Sequence, residues 1–345
     1  MKAFAHPAQS GHHPVFFLQR GRQRPNFEVP SRAAALDAAL RRLGVPPALP
    51  PDLSPQVLQR VHQAAYLRFL EEASEAWSAL PDPGPEVVAN MHPSPEMLAQ
   101  GGACGDGIIA RAGWFMADTA CPIGPGTWPA VIGAAACAHA AACEAVAGRS
   151  AYALCRPPGH HAEAARAGGH CYVNNAALAA QVLVDAGASR VAVLDIDSHH
   201  GNGTQSIFWS RGDVLTVSVH ADPDRYYPWF VGRAVERGAG AGEGCNLNLP
   251  LALGTGDTGW LEAIAHAITA IRQFGPEALV VPLGFDASAH EPLAALTVSA
   301  DGFARAGALI GGLRLPTVIT QEGGYNVDKI GELLECFLNG WAEPA

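Results

Sequence analysis

The sequence predicts an α/β fold in which a single domain, residues 1–345, is built on a central open parallel β-sheet flanked by helices. From residue 151 onward, short apolar runs alternate with helical patterns, which is typical of parallel strands joined by right-handed crossovers. The 345 residues are 49% hydrophobic, enough for a large core, and α/β sheets of this length commonly form one domain. Polar clusters follow the apolar runs, at the edge where parallel α/β sheets bind their ligands.

The first 150 residues have a less regular pattern, in which helices are separated by turns rich in proline and glycine. Helices are predicted at residues 31–43, at 54–77 with a break at 62–66, and at 131–146. Loops are predicted at residues 12–14, 20–25 and 46–55. The alanine-rich helix at 131–146 contains His139 and Glu144, so we expect it to pack within the protein. No internal repeat and no interdomain linker are predicted.

Five strands and three helices between them are predicted in the rest of the chain. The strands are residues 151–155, 191–194, 214–219, 279–283 and 317–320, and the helices are residues 175–185, 258–274 and 300–313. Polar residues follow each strand, namely His160 and His161, residues 195–200, residues 218–220, Asp286, and residues 322–325. Because the carboxyl ends of parallel strands meet at one edge of the sheet, we expect these residues to form one site.

The segment that follows the second of these strands predicts a metal site. Alternate side chains of an extended chain share one side, so Asp195, Asp197 and His199 point the same way. Asp197 and His199 can then bind one cation, with Asp286 as the third ligand. Two carboxylates and one imidazole suit a zinc ion that keeps an open catalytic position. The alternatives are a polar loop after a core strand and, for Asp286, the N-cap of a helix.

Two other strand ends carry groups suited to acid–base chemistry. His160 and His161 follow a stiff turn that contains two prolines, and an imidazole can accept a proton near neutrality and return it to a leaving amine. Two glycines precede Tyr325, so its hydroxyl can approach the site and donate a hydrogen bond to a developing oxyanion. The alternatives are solvent-exposed loop histidines and a tyrosine that covers the core.

Composition limits the class of partner and the cellular compartment. The formal net charge of −10 argues against binding nucleic acid through its phosphates, whereas an acidic surface attracts small cations. No segment resembles a signal peptide or a membrane span free of charges and turn residues. The eight cysteines are scattered without a C-x-x-C pair, which favours reduced thiols and a cytoplasmic protein.

Four motifs together resemble the arginase/histone-deacetylase superfamily: R-P-P-G-H-H, D-I-D-S-H-H-G-N-G-T-Q, L-G-F-D-A-S and E-G-G-Y. Their order and content are most similar to the class II deacetylase branch, and within it to the bacterial acetylpolyamine amidohydrolases. The resemblance implies the arginase/deacetylase fold and one zinc ion per subunit, held by Asp197, His199 and Asp286. A ureohydrolase of the arginase type would need a second metal, and no second Asp follows Asp286 to complete that site.

The resemblance also implies a role for each catalytic group. His161 would be the general base and acid, and His160, oriented by Asp195, would act as its electrostatic partner. Tyr325 would polarise the acetamide carbonyl and stabilise the tetrahedral intermediate. Asn202 stands where class I deacetylases carry an Asp facing the second histidine, and a neutral partner stabilises an imidazolium less than a carboxylate does.

Cation sites and a substrate tunnel complete what the resemblance implies. One potassium site would use Asp195, Asp197, Ser218 and the backbone oxygens of His199 and Val219, and a second would use backbone oxygens near Phe208, Arg211 and Val214. Gly169, His170 and Tyr227 would line the tunnel, with Asp118 at its rim. His170 stands where the family usually has Phe or Tyr, and a cationic imidazole there would repel an ammonium substrate.

The resemblance implies hydrolysis of the acetamide of N-acetylated polyamines and diamines, such as acetylputrescine and acetylcadaverine, to acetate and free amine. Residues 11–30 would form a loop that narrows the tunnel mouth of a partner subunit, which implies a homodimer. The main alternative is a protein acetyl-lysine deacetylase with an open mouth. A binding module that has lost its chemistry is a further alternative, but Tyr325 and all three metal ligands are present.

Overall fold

A parallel sheet of seven strands forms the centre of the chain over residues 1–343, which the computed structural model describes. In chain order the strands of the protein are β1 (Lys2–Phe4), β2 (Phe16–Gln19), β3 (Arg22–Pro25), β4 (Ala151–Ala153), β5 (Val191–Asp195), β6 (Val214–Ala221), β7 (Asn246–Leu251), β8 (Ala278–Leu283) and β9 (Thr317–Gln321). β2 and β3 pair with each other as an antiparallel hairpin. The others form the sheet in the order β1-β4-β9-β8-β5-β6-β7, with every neighbouring pair parallel. The predicted α/β class is confirmed.

Helices cover both faces of this sheet. They are α1 (Pro30–Arg42), α2 (Ala64–Ser78), α3 (Pro95–Ala99), α4 (Ile108–Phe115), α5 (Thr127–Val146), α6 (Asn175–Asp185), α7 (Asn202–Phe208), α8 (Asp257–Phe274), α9 (Ala300–Gly311) and α10 (Val327–Ala342). The apolar stripes of α2, α4, α5 and α6 pack into one core cluster, and those of α1, α8, α9 and α10 into another on the opposite face. Two cores separated by a sheet give the three layers of a doubly wound fold.

The order of the strands reverses at β5. From β5 the chain continues to β6 and β7 on one side, and it then crosses back to place β8 and β9 on the other side. Ligands of open α/β sheets bind outside the carboxyl ends of the strands at such a reversal, because the neighbouring loops diverge there and leave a crevice. The loops after β5 and β8 therefore border the predicted binding position.

The five strands predicted after residue 150 are all present, and the predicted helices agree within a few residues. The segment at 54–77 consists of a 3-10 helix, Pro55–Arg60, followed by α2, as the predicted break implies. The predicted loop at 20–25 is wrong in part, because Arg22–Pro25 is strand β3. All four residues of β3 are exposed, so the strand has no buried face to produce an alternating pattern.

Helix α5 is long and apolar enough to cross a membrane if length and composition alone are considered. Of the most apolar stretch of 18 residues in this helix, 67% is buried inside the protein, mainly against the sheet and α6. The predicted packing of this helix is confirmed.

Candidate active site

Asp197, His199 and Asp286 meet at the reversal of strand order. Asp197 and His199 follow β5, and Asp286 follows β8. The Nδ1 atom of His199 lies 3.1 Å from Oδ1 of Asp197 and 3.0 Å from Oδ2 of Asp286, and one ligand atom from each residue falls within 4.8 Å of the others. The carboxylates of Asp197 and Asp286 are 0% and 2% exposed. Two carboxylates buried this deeply need a cation between them, so the donor set fits a zinc-type metal ion.

Backbone amides hold both carboxylates in place. The amide of Gly323 donates to Asp197 Oδ2 at 2.8 Å, and the amide of Ser198 donates to Asp286 Oδ1 at 2.8 Å. A Cβ atom at Gly323 would lie 2.1 Å from Asp286 Oδ2, so this position leaves no room for a side chain. Asp286 caps no helix of the described structure, and its carboxylate bonds instead to the loop after β5, which removes the N-cap alternative.

The two adjacent imidazoles have different partners. Nδ1 of His160 lies 2.9 Å from Oδ2 of Asp195. Burial opposes a charge on His160, but the carboxylates of Asp195 and Asp197 outweigh it and raise the pKa of His160 to about 10. Nδ1 of His161 instead lies 2.7 Å from the amide oxygen of Asn202. Burial, together with the nearby charge of His160, lowers the pKa of His161 well below its usual range. The pair thus combines a charged and a neutral ring, whose centroids are 4.0 Å apart.

Glu322, at the end of β9, orients the turn that carries both histidines. Its Oε2 atom accepts hydrogen bonds from the amides of Gly159 at 2.6 Å and His160 at 3.0 Å. Burial raises the pKa of Glu322 to about 7, against the lowering effect of the His160 charge. His160, Cys171 and Glu322 also place three ligand atoms within 4.8 Å. Hydrogen bonds already engage the side chains of His160 and Glu322, so this second group is less suited to binding a cation.

Tyr325 lies on a loop that is held from two sides. The guanidinium of Arg32, in α1, stacks 4.7 Å from the centre of the Tyr325 ring and donates to the carbonyl oxygens of Gly324 and Glu322. On the other side Glu291 accepts a hydrogen bond from the amide of Tyr325 at 2.7 Å. Arg32 and Glu291 were not predicted. For Arg32 the sequence offered one signal, the i,i+4 pair with Glu28 at the start of a helix.

A pocket of about 740 Å³ leads from the protein surface to His161, His199 and Tyr325. The predicted substrate-contacting residues Asp118, Gly169, His170 and Tyr227 all line it. Asp118 joins two of them, because its Oδ2 atom accepts hydrogen bonds from the Gly169 amide at 3.0 Å and from the Tyr227 hydroxyl at 2.7 Å. Gly169 has a φ of +53°, and a Cβ atom there would lie 2.4 Å from the His161 ring, so only glycine fits.

His170 packs between the hairpin and Tyr325. Its ring centroid lies 5.8 Å from that of Phe17 and 5.6 Å from that of Tyr325. Burial lowers the pKa of His170 to about 4, so the ring is uncharged at neutral pH. The repulsion expected of a cationic His170 therefore does not arise near neutrality.

Leu253 and residues 292–295 are parts of the pocket wall that were not predicted. Phe17, Leu18, Gln19 and Arg20 of the β2–β3 hairpin line the pocket of their own chain, whereas residues 11–30 are predicted to narrow the tunnel mouth of a partner subunit. The ring of Tyr226 stacks on His199, with centroids 4.6 Å apart. The hairpin residues carry no recognisable motif of their own, so their position on the pocket of the same chain follows only from the folded structure.

The residues predicted to bind potassium are brought together in part. Asp195 and Ser218 are register partners in β5 and β6, and both line an internal cavity of about 10 Å³, with Val219 next along β6. Phe208, Arg211 and Val214 lie where α7 ends and β6 begins. There the Arg211 amide already donates to the Phe208 carbonyl oxygen at 2.9 Å.

These groups fit hydrolysis of a carbonyl compound. The neutral imidazole of His161, the imidazole of His199 and the phenol of Tyr325 line the same end of one pocket, and the charged ring of His160 and the two carboxylates lie buried directly behind them. Such a set can exchange protons and stabilise a developing oxyanion. The doubly wound fold and this site define the class as a metal-dependent hydrolase that acts on a linear amide.

Comparison with known proteins identifies the family. The histone deacetylase domain matches residues 26–341, and the chain belongs to this family. It is 46% identical to the acetylpolyamine amidohydrolase of Burkholderia pseudomallei, over 99% of this chain and 98% of the relative. It is 44% identical to acetylpolyamine amidohydrolase 1 of Pseudomonas aeruginosa, over 95% of each chain. A crystal structure of acetylpolyamine aminohydrolase from Burkholderia pseudomallei superposes with a TM-score of 0.95, at 45% identity and full coverage of both chains.

The predicted family, fold and enzyme class are therefore confirmed. This protein is a hydrolytic enzyme of the deacetylase family, and the family depends on a metal.

Proposed function

We propose that this enzyme hydrolyses the acetamide bond of N-acetylated polyamines and diamines, such as acetylputrescine and acetylcadaverine, and releases acetate and free amine. The observation that carries the proposal is the pocket, in which the N-terminal hairpin forms part of a wall that leads to His161, His199 and Tyr325. A pocket that is bounded by the hairpin in this way favours a narrow small-molecule substrate over a folded protein. The full-length likeness to acetylpolyamine amidohydrolases supports the same substrate class.

Zinc is the metal that we propose for the site formed by Asp197, His199 and Asp286. Bound there, it would act as a Lewis acid on the acetamide carbonyl and would acidify water. Two oxygen ligands and one nitrogen ligand match a catalytic rather than a structural zinc site.

His161 is the group that we propose moves the protons. Its Nδ1–H donates to the Asn202 oxygen, which leaves the lone pair of Nε2 free to take a proton from the attacking water. The same Nε2 would then deliver that proton to the nitrogen of the leaving amine. The adjacent charged ring of His160, fixed by Asp195, would stabilise the negative charge that forms on the substrate.

Tyr325 and the pocket wall would position the substrate. The Tyr325 hydroxyl would donate a hydrogen bond to the acetamide oxygen as it gains negative charge. Gly169, His170 and Tyr227 would surround the aliphatic stem, and Asp118 at the rim would accept a hydrogen bond from the substrate.

Three further properties belong to the proposal. We propose that potassium binds beside Asp195, Ser218 and Val219 and near Phe208, Arg211 and Val214, where it would stiffen the sheet edge. The protein would form a homodimer through residues 11–30 and the mouth of the pocket, where Leu18 and Trp229 are 48% and 51% exposed. All eight cysteines are free, which supports a reducing compartment such as the cytoplasm.

The test compares kcat/KM of the zinc-loaded enzyme for acetylputrescine, acetylcadaverine and a peptide that contains acetyl-lysine. The expected result is a preference for the small amines, with turnover reduced about 100-fold or more in Tyr325→Phe, the loss typical of removing one oxyanion donor. A preference for the peptide would instead indicate a protein deacetylase. No turnover of any of the three substrates would contradict the proposed reaction.

A further inference from the structure

The long loop between β8 and α9, residues 284–299, contains a segment that lies between two sides of the pocket. This is the 290–293 segment, which has no regular secondary structure. Pro292 and Leu293 line the pocket, whereas Glu291 is 7% exposed and bonds to the backbone beside Tyr325. Loops of this length within a compact domain commonly carry function, so the contacts of the segment are informative.

On one side the 290–293 segment holds the loop that carries Tyr325. Glu291 accepts hydrogen bonds from the amide of Tyr325 at 2.7 Å and from the amide of Asn326 at 3.1 Å. The Asn326 side chain donates in return to the carbonyl oxygen of His290 at 2.7 Å. Two glycines precede Tyr325, and the second, Gly324, has a φ of +110°, so the local backbone restrains the phenol little. Contacts such as these therefore determine where the Tyr325 hydroxyl lies.

On the other side the segment is held by Tyr226, in the loop after β6. The Tyr226 hydroxyl donates to the carbonyl oxygen of Leu293 at 2.6 Å. Its ring stacks on the imidazole of His199, with an angle of 22° between the two planes. His199 is itself held between the carboxylates of Asp197 and Asp286. A ring stacked on a side chain that is fixed in this way directs its hydroxyl to one place.

The hydroxyl of Tyr226 is the part of this side chain that needs an explanation. A phenylalanine would stack on His199 in the same way, so what the hydroxyl adds is the hydrogen bond to Leu293. The neighbouring Tyr227 bonds instead to Asp118, on a different side of the pocket. The two tyrosines of this loop thus fix different parts of the wall.

A continuous series of contacts therefore joins His199 on one side of the pocket to Tyr325 on the other. We propose that Tyr226 is a positioning residue for Tyr325, because its hydroxyl fixes the 290–293 segment and Glu291 transmits that position to the phenol. The Tyr325 hydroxyl has to meet the acetamide oxygen at hydrogen-bond distance, so a displaced segment would weaken the stabilisation of the oxyanion. The inference rests on the proposed function for the part that Tyr325 plays in the reaction.

The experiment is a double-mutant cycle of Tyr226→Phe and Tyr325→Phe, measured as kcat and KM for acetylputrescine with the zinc-loaded enzyme. Tyr226→Phe alone should lower kcat about threefold to tenfold, the effect of one net hydrogen bond, with a smaller change in KM. In the Tyr325→Phe background the same substitution should change kcat by less than about twofold, because the hydroxyl that it positions is already absent. Tyr66→Phe is the matched control. It removes a buried hydroxyl that donates to the Tyr172 carbonyl oxygen at 2.5 Å and does not line the pocket, so kcat should stay within about twofold of the wild type.

A second measurement does not depend on turnover. Hydrogen exchange of a peptide that spans residues 322–328, followed by mass spectrometry, reports whether Glu291 still holds the amides of Tyr325 and Asn326. Exchange of this peptide should be about threefold to tenfold faster in Tyr226→Phe than in the wild type, and unchanged in Tyr66→Phe. The rise in melting temperature on adding zinc should be retained in Tyr226→Phe, because a ring still covers His199.

Wild-type kcat in Tyr226→Phe would overturn this inference, and so would unchanged hydrogen exchange of the 322–328 peptide. An equal loss of kcat in the Tyr325→Phe background would also overturn it, because the effect would then not pass through that phenol. Loss of the zinc response in Tyr226→Phe would mean that the residue acts through His199 instead. All of these results leave the proposed function intact, whereas no turnover of acetylputrescine by the wild type would contradict the proposed function itself.

Discussion

The two adjacent imidazoles of the site differ in the group that each one contacts. His160 contacts a carboxylate, whereas His161 contacts the neutral amide of Asn202. A carboxylate stabilises an imidazolium, and an amide does so much less, so the polar partner sets which ring is charged. Pairs of titratable groups driven apart in this way commonly divide the acid–base work of a site.

Replacing Asn202 by Asp tests this division. A carboxylate 2.7 Å from Nδ1 of His161 would raise the pKa of that ring by about one to two units. Because a base must be neutral to accept a proton, the acidic limb of the kcat/KM profile should move to higher pH by the same amount. Asn202→Ala is the control, since it removes the hydrogen bond without adding charge. An acidic limb that moves equally in both variants would contradict the assignment of His161 as the base.

His62 links stability to pH at a position away from the site. It is buried, its Nε2 accepts a hydrogen bond from the Asn174 amide at 2.9 Å, and its Nδ1 lies 3.0 Å from the Glu163 carbonyl oxygen. Burial lowers the pKa of His62 from 6.5 to about 4. Between these values the unfolded chain binds more protons, so this residue favours folding above pH 6.5 and its contribution is lost as the pH falls toward 4.

The expected loss from His62 is up to about 3 kcal/mol of unfolding free energy by pH 4. His62→Gln keeps an acceptor but cannot titrate, so its urea unfolding should show a weaker dependence on pH than that of the wild type. His266→Gln, which changes an exposed histidine of α8, serves as the comparison and should retain the wild-type dependence. Identical pH dependence in wild type and His62→Gln would contradict the prediction.

Single residues of the site could be predicted where each stands directly after an apolar strand. Asp197, His199 and Asp286 are such residues, and the structure brings them together. Arg32 could not be placed, because it reaches Gly324, 292 positions away, only through the packing of α1 against the end of β9. Pairing at such a distance leaves no periodic pattern in the sequence.

At the scale of elements, α1 and the segment before it hold the catalytic loop. Glu28 is fully buried, and its Oε1 lies 2.7 Å from Nη1 of Arg32 and 2.8 Å from Nε of Arg156, in the turn before His160. Arg32 in turn binds the backbone of residues 322–324. One carboxylate thus connects the N-terminal segment to the loops that carry His160 and Tyr325.

Substituting Arg32 should therefore affect both stability and turnover. Arg32→Met breaks a buried ion pair and should lower the unfolding free energy by about 3 kcal/mol. Arg32→Lys keeps the charge but loses the planar fork that reaches two carbonyl oxygens, so kcat should fall more than KM rises. Arg42→Met, which removes an exposed pair with Glu335 from the same helix, should change stability by less than about 1 kcal/mol. Wild-type kcat in Arg32→Lys would exclude a positioning role.

The elements that could be predicted are those with two buried faces or one continuous apolar stripe. β5 and β8 are buried at every residue and stand out as apolar runs. β7 lies at the sheet edge, alternates Asn with Leu and contains Pro250, so its signal is weak. The β2–β3 hairpin pairs outside the sheet, and its position at the pocket depends on contacts such as that between Phe17 and His170.

At the scale of the whole molecule, the two core layers converge on the metal ligands. Asp197 follows β5 and Asp286 follows β8, and each strand is packed between helices of opposite faces. Without a cation the two buried carboxylates repel each other, and only His199 lies between them. A metal ion that binds the folded state and not the unfolded chain therefore stabilises the entire sheet.

Removing the metal with a chelator should abolish activity and lower the melting temperature. A ligand at a thousand times its Kd adds about 4 kcal/mol, which corresponds to about 5 °C for a chain of this length. Zinc should restore both properties, and other divalent ions should do so in the order of their affinity for oxygen and nitrogen ligands. In Asp286→Asn the cluster keeps one carboxylate and one imidazole, so zinc should raise its melting temperature by much less. A shift of equal size in the wild type and in Asp286→Asn would mean that zinc stabilises the protein at some other place, and the assignment of these three ligands would then be wrong.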